Sequence, residues 1–232
     1  MEFEVFADGL RFPEGPVVMA DGSVIVVEIE SKKITRCWPG GKTETVAEPG
    51  GGPNGLAIGP DGALWCTNNG GFLYHERDGL LIPGHCPEDY SGGRIERIDL
   101  DTGKVDVVAT HCGDRPLKGP NDLVFDKAGN LYFTDLGKTY ATSRDTGGIY
   151  YMAAGSSTVE ELDYNHISPN GIGLSPDEQT VYFADTMTGR VWAYDLESPG
   201  VAKQATPFTK GRVVAGMPDL RYFDSLAISA AG

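Results

Sequence analysis

The chain has 232 residues, enough for one large domain or two small ones, and its 40% hydrophobic and 22% charged content marks it as globular rather than disordered. Its 19 basic against 33 acidic side chains leave a net charge of −14, which argues against nucleic acid or an anionic membrane as a partner. No apolar run approaches the length of a membrane span, and the four cysteines, none in a C-x-x-C pair, read as reduced thiols rather than a disulfide framework.

Taken in chain order, the start "MEFEVFADGL" is acidic and lacks a basic leader region. The expected location is therefore the cytoplasm, with a mature form stripped of its signal as the alternative. "FPEGPVVMADGSVIVVE" (12–28) gives two short apolar runs around an Asp-Gly turn, the pattern of a β-hairpin. "WPGGKTETV" (38–46) resembles the end of a phosphate-binding loop, but the first glycine of that motif would fall at Arg36, so it reads as a hairpin turn. "GPNGLAIGPDGALWCTN" (52–68) repeats the first hairpin. An insertion follows at 71–93, a candidate lid offering Tyr74, His75, His85 and Tyr90, or else a solvent-exposed loop.

"RIERIDLDTGKVDVVAT" (94–110) predicts two more strands joined at Asp101-Thr102-Gly103. Its resemblance to a calcium-binding EF-hand loop fails, because the glycine comes one residue early and the closing Glu is absent. "GPNDLVFDKAGNLYFTD" (119–135) and "SPNGIGLSPDEQTVYFAD" (168–185) are the third and fourth hairpins, with "GIYYM" (148–152) and "RVWAYDL" (190–196) as their third strands. "FDSLAIS" (223–229) opens a fifth copy. No long segment has a helical period.

The copies align on one polar position: Glu14, Asn54, Asn121, Asn170 and Asp224, spaced 40, 67, 49 and 54 residues apart. Four strands per unit at such intervals suit the blades of an all-β propeller. The fifth copy stops within its first hairpin, so the expectation is about four and a fraction blades in one domain over 1–232, with a C-terminal part of the ring absent. The segment 3–10 would then pair with that absent blade.

In a propeller the first strand of each blade lines the central channel. The five aligned residues therefore converge on one face, where two carboxylates and three amide oxygens suit a hard divalent cation, Ca²⁺ first, with Mg²⁺ or Mn²⁺ as alternatives. The bland reading, turn residues before strands, fits Asn-Gly and Asp-Ser but not Glu14. Glu28, Asn68, Asp135 and Asp185 end the second strands and either rim the same face or cap turns. His75, His85, His111 and His166 share no metal spacing, and Trp38, Trp65 and Trp192 read as blade packing.

The motifs "FPEGP" (12–16), "GPNDLVFD" (119–126), "SPNGIGLSPD" (168–177) and "FDSLAIS" (223–229) resemble, in order, those of the SMP-30/gluconolactonase/luciferin-regenerating-enzyme family. The resemblance implies a six-bladed β-propeller of four-stranded blades and a divalent-metal-dependent hydrolase opening a lactone ring. It implies Glu14, Asn170 and Asp224 as ligands of one divalent cation (Ca²⁺ foremost, Zn²⁺, Mn²⁺ or Mg²⁺ otherwise), and Asn121 as a residue contacting the ion or substrate. Asn54 and Lys118 are the further substrate-binding candidates, and Ser225 stands beside Asp224 as in the drug-responsive lactonase branch. Members that bind gluconolactone-type sugars often carry Arg two residues before the third-blade Asn. Here that position is Gly119, which points to a different lactone or an aryl ester.

The catalytic candidates are Asp224, as the carboxylate taking a proton from water, and Asn121. Asp122 is the other carboxylate in range, but strand alternation turns it away from Asn121. Two alternatives stand beside lactone hydrolysis: aryl-ester or phosphotriester hydrolysis on the same site, and a non-catalytic calcium-binding propeller. A strictosidine-synthase-like propeller does not need Glu14 with Asp224.

Overall fold

The computed structural model describes residues 4–219 and 221–232. Strand propensity and turn residues dictate a repeating antiparallel unit. The first sheet contains β1 (Pro13–Val18), β2 (Val24–Glu28), β3 (Lys33–Cys37) and β4 (Thr43–Ala47), paired in sequence order. The second begins with β5 (Pro53–Ile58) and β6 (Leu64–Asn68). A hairpin, β7 (Tyr74–Arg77) and β8 (Leu80–Pro83), interrupts it before β9 (Arg94–Ile98) and β10 (Val105–Ala109) complete the order β5-β6-β9-β10.

A small hairpin, β11 (His111–Cys112) with β12 (Arg115–Pro116), leads to the third sheet: β13 (Pro120–Phe125), β14 (Leu131–Asp135), β15 (Gly147–Met152) and β16 (Glu160–His166). The fourth holds β17 (Pro169–Leu174), β18 (Thr180–Asp185) and β19 (Arg190–Ser198), whose outer edge is shared by β20 (Val201–Ala202) and β21 (Arg212–Gly216). No helix occurs among the described residues.

The four complete hairpins, their third strands and the turn at 101–103 stand where the repeats put them, while the fifth copy at 223–229 forms no strand. Of the 3–10 segment, Phe3 lies outside the described residues and 4–10 form no strand. All four cysteines are free thiols.

The sheets stack as blades, and each interface is its own core. Ile25, Val27 and Ile34 of the first meet Leu56, Leu64 and Cys66 of the second. Ile95 and Ala109 of the second meet Leu123, Phe133 and Tyr150 of the third. Tyr132, Ile149 and Leu162 of the third meet Ile172, Phe183 and Tyr194 of the fourth. A middle strand thus buries both faces, so β14, "LYFTD", is buried at every position. Each large side chain removed from water there is worth about 1.5–3 kcal/mol.

The inner strands β1, β5, β13 and β17 lie side by side. They approach so closely that a Cβ on Gly55 would sit 2.7 Å from the Asn121 carbonyl, and one on Gly171 would sit 2.6 Å from the Ser225 Cα. The residue after the repeated polar position is therefore glycine in the first, second and fourth sheets, while Asp122 of the third turns its side chain onto the next strand. The second of these contacts also places segment 223–228 alongside β17, as a fifth inner segment.

Candidate active site

Each inner hairpin carries the same irregularity at the repeated polar residue. Partners advance by three residues on the first strand and two on the second: Glu14 and Val17 oppose Val27 and Ile25, and Pro120 and Leu123 oppose Asp135 and Phe133. β5 and β17 repeat this slip. A bulge of this kind bends the strand and re-aims a side chain. Here it aims Glu14, Asn54, Asn121 and Asn170, joined by Asp224, into one cavity of about 270 Å³. Phe12, Ile29, Phe72, Leu136 and Met187 supply its apolar wall, and Thr139, Arg144, Ser168 and Thr186 its other polar groups.

The bulge leaves backbone groups without ladder partners, and a threonine on the second strand satisfies them. The Gly55 N–H donates to Thr67 Oγ1 at 2.8 Å, and that hydroxyl donates to the Asn121 carbonyl of the next blade. One blade on, the Asp122 N–H donates to Thr134 Oγ1 at 3.2 Å, and Thr134 donates to the Asn170 carbonyl. Two of the site residues are thus pinned through their backbone by the preceding blade. Val27 and Ala184 hold the same place in the first and fourth sheets, where no hydroxyl is available.

Burial pushes the Glu14 carboxyl up to about 7, with the negative charges of Asp224 and then Asp122 adding to it. Asn170 donates from Nδ2 to Thr186 Oγ1 at 3.1 Å, while its Oδ1 is buried and has no partner. A buried carbonyl oxygen left unpaired costs about 1–3 kcal/mol unless something else takes it up. Among the described residues no three His, Cys, Asp or Glu side chains converge as a metal cluster. The gathered set is two carboxylates with amide oxygens, which fits a hard, oxygen-seeking cation and not a soft one.

Asp122 lies apart from this set. Its carboxylate accepts the N–H of Leu123 at 2.9 Å and that of Ile172 at 3.3 Å, bridging two inner strands. It does not line the cavity, although burial, with a smaller contribution from Asp224, pushes its carboxyl up to about 6.

Lys118 does not line the cavity either. Its N–H donates to Asp135, and its carbonyl accepts the Tyr90 hydroxyl. The structure thus does not bring Lys118, expected among the substrate-binding residues, into the lining of this cavity. Nor could the Gly119 position take an arginine on this backbone, since a Cβ there would stand 2.5 Å from the Gly137 carbonyl. Sequence reading passed over the basic residue that does line the cavity, Arg144 from the loop after β14. It belongs to no repeat, so no periodic signal marked it. Thr67 and Thr134 were also missed, although each stands just before the Asn or Asp that ends its second strand.

Glu28, Asn68, Asp135 and Asp185 cap turns. Asp135 accepts N–H groups from Lys118, Gly119 and Gly137, Asn68 accepts those of Gly52 and Gly70, Glu28 that of Arg11, and Asp185 the Ser168 hydroxyl. They hold the loops that enter the inner strands and leave the cavity to the bulge residues.

The 71–93 insertion reaches the site. Phe72, Pro83 and Gly84 line the cavity, and the Tyr74 ring packs 5.2 Å from Phe12. Its root is clamped by the buried Lys138, which donates to the Gly71 carbonyl at 2.6 Å and stands 4.0 Å above the Phe72 ring. Burial lowers that ammonium to about 8. His166 is structural, packed against Phe183 and Trp192 with the Tyr194 hydroxyl 2.9 Å from Nε2.

A cavity built from repeated inner-strand residues can be compared with known proteins. The family model described as the SMP-30/gluconolactonase/LRE-like region matches residues 12–232. The chain belongs to this family. It is 26% identical over 247 residues to a gluconolactonase from Zymomonas mobilis, covering 93% of this chain and 63% of that protein. It is 30% identical over 203 residues to the lactonase drp35 of Staphylococcus aureus, covering 85% of this chain and 53% of that protein. The chain therefore spans less than two thirds of either relative.

A solved gluconolactonase from Xanthomonas campestris superimposes with a TM-score of 0.72 over 98% of this chain and 70% of that one, at 20% identity. That likeness concerns the fold. Among the described residues no helix is long and apolar enough to cross a membrane.

Proposed function

We propose that this family member carries the site of a divalent-cation-dependent hydrolase that opens a lactone ring. The observation that carries the reading is the convergence of Glu14, Asn54, Asn121, Asn170 and Asp224 on one cavity, with the Asn170 Oδ1 buried and unpartnered. The names of the gluconolactonase and lactonase relatives support the choice of reaction.

Glu14, Asn170 and Asp224 would hold the cation, with Ca²⁺ the best match to the oxygen donors and Mg²⁺, Mn²⁺ or Zn²⁺ the alternatives. When bound, the cation would supply Lewis-acid polarisation of the lactone carbonyl and stabilise its developing negative charge. Asp224 is the exposed carboxylate of the set and takes the proton from the attacking water. Asn121 and Asn54 offer amide groups that orient the ring and its exocyclic oxygens. Phe12, Phe72 and Met187 face the ring with apolar surface and keep bulk water from the reacting carbon.

The test is turnover of γ- and δ-lactones, an aryl ester and a phosphotriester, first in EDTA and then with Ca²⁺, Zn²⁺, Mn²⁺ or Mg²⁺ restored. The expected result is lactone opening that vanishes in EDTA and returns with Ca²⁺, and that falls about 10²–10⁴-fold in Asp224→Asn. Full activity in Asp224→Asn would remove the proton-transfer role. Turnover of the aryl ester or phosphotriester alone would replace the lactone by that substrate class. No turnover of anything, with Ca²⁺ still bound, would make the chain a cation-binding propeller.

A further inference from the structure

Arg144 is an unusual arginine in this chain. Arg11, Arg36, Arg94, Arg97 and Arg115 each reach a carboxylate partner at 2.5–3.1 Å. Arg144 is half-buried, and among the described residues no carboxylate stands within ion-pair distance of it. The nearby acids act on it through space and not by contact: Asp185 accepts the Ser168 hydroxyl at 2.9 Å, and Asp145 accepts the Tyr140 hydroxyl at 3.1 Å. A guanidinium partly withdrawn from water without a contacting carboxylate is costly to a fold. Such a residue often has a partner that arrives from outside.

Its geometry is fixed in advance. Nε donates to the Ile167 carbonyl at 2.9 Å, Nη1 to Thr139 Oγ1 at 2.8 Å and Nη2 to the Leu136 carbonyl at 3.1 Å. Its own loop, through Leu136 and Thr139, and the segment entering β17, through Ile167, thus hold one planar head. A guanidinium has five N–H donors, so these bonds leave one free on each terminal nitrogen. Among the described residues Arg144 is also the only basic one lining the cavity, and its neighbours there, Thr139, Leu136 and Ser168, come from the segments that hold it.

We propose that Arg144 is the specificity-determining residue of this cavity, and that the ring it accepts carries an anionic substituent, a carboxylate or phosphate, gripped by the two free N–H groups. The grip is charge-assisted and planar, which favours two acceptor oxygens over the single hydroxyl of a neutral sugar ring. This rests on the lactone-opening reading of the same cavity. The competing reading is that Arg144 only ties its own loop to the segment entering β17, in which case its loss lowers stability and harms every substrate alike.

A matched pair of rings separates these readings: γ-butyrolactone carrying a ring carboxylate, and its uncharged carboxamide. With Ca²⁺ present, the wild type should turn over the carboxylate with the higher kcat/KM. Arg144→Met should lower kcat/KM for the carboxylate about tenfold to a hundredfold more than for the carboxamide, the size of a lost hydrogen-bonded charge contact. Arg144→Lys should retain part of the preference. An equal loss on both rings, or a wild type that favours the carboxamide or a neutral polyol lactone, would overturn the proposal.

Binding of the intact carboxylate lactone in EDTA, followed by calorimetry, keeps this distinct from the lactonase reading. Arg144-dependent binding in EDTA, with no turnover of any lactone once Ca²⁺ is restored, would support the anion site and sink the reaction. Turnover without Arg144-dependent discrimination would do the reverse. Should Arg144→Met fail to fold, Arg144→Gln keeps side-chain donors for the tying contacts and is read by the same ratio.

Discussion

Glu14 shows how a single carboxyl reports on the site. Burial and its acidic neighbours hold its folded pKa at about 7, above the ordinary 4.5. The folded state therefore binds the proton more tightly than the unfolded chain does. In the absence of cation its stability contribution is fully present below about pH 4.5 and is lost as the pH rises through 7. At about 1.36 kcal/mol per pKa unit, discounted for partial exposure, the swing is roughly 1–2 kcal/mol. Thermal melts in EDTA should show the wild type losing stability between pH 5 and 8. Glu14→Gln should be flatter, its residual slope below pH 6 coming from Asp122, whose carboxyl is held at about 6. Identical slopes in the two proteins would show that Glu14 is not held protonated.

At the scale of the element, the bulged hairpin with its threonine is the working unit. Thr134 accepts from the Asp122 N–H and donates to the Asn170 carbonyl, so one hydroxyl serves two backbone groups that the bulge and the blade boundary would leave unpaired. Thr134→Val keeps the shape and removes both bonds. Urea unfolding should show it less stable by roughly 1–3 kcal/mol, the cost of stranding buried polar groups. Thr134→Ser should recover most of that loss, and a valine variant as stable as the serine one would show the tie to be dispensable.

This unit also marks how far the sequence could be read. The hairpins were legible because apolar runs alternate with Gly and Asp turns, and the five polar heads were legible because they recur at one register. The bulge was not, since it is a property of pairing between strands that the sequence does not display. Thr67 and Thr134 were visible as letters, but their role depends on the adjacent blade lying within hydrogen-bond reach. Asp122 lies outside the cavity that Asn121 lines, and its bond to Ile172 needs the neighbouring strand to be understood. Arg144 was the hardest to foresee, because a residue from a single irregular loop reaches the cavity by tertiary packing alone.

On the scale of the whole molecule, the site is a junction. Glu14, Asn54, Asn121 and Asn170 come from four different sheets and Asp224 from the segment beside the fourth, while the apolar interfaces between sheets fix their spacing. A cation held there binds only the folded arrangement, because the unfolded chain cannot gather ligands so far apart in sequence. Its binding must then stabilise the molecule as a whole, by about 2.7 kcal/mol when the free ion stands at 100 times its Kd. For a chain of this length that is a rise in Tm of roughly 5–11 °C. Because Glu14 must give up its proton to act as a ligand, the rise should be larger at pH 8 than at pH 5.5, where its carboxyl is mostly protonated. Calorimetric melts with EDTA or Ca²⁺ at the two pH values measure this directly. Magnesium at equal concentration should give a smaller shift, since it demands a tighter octahedral shell than the amide and carboxylate oxygens of three separate segments favour. A Ca²⁺ shift that is the same at both pH values and survives Glu14→Gln would place the ion elsewhere on this acidic surface, and no shift at all would remove the cation from the account of the cavity.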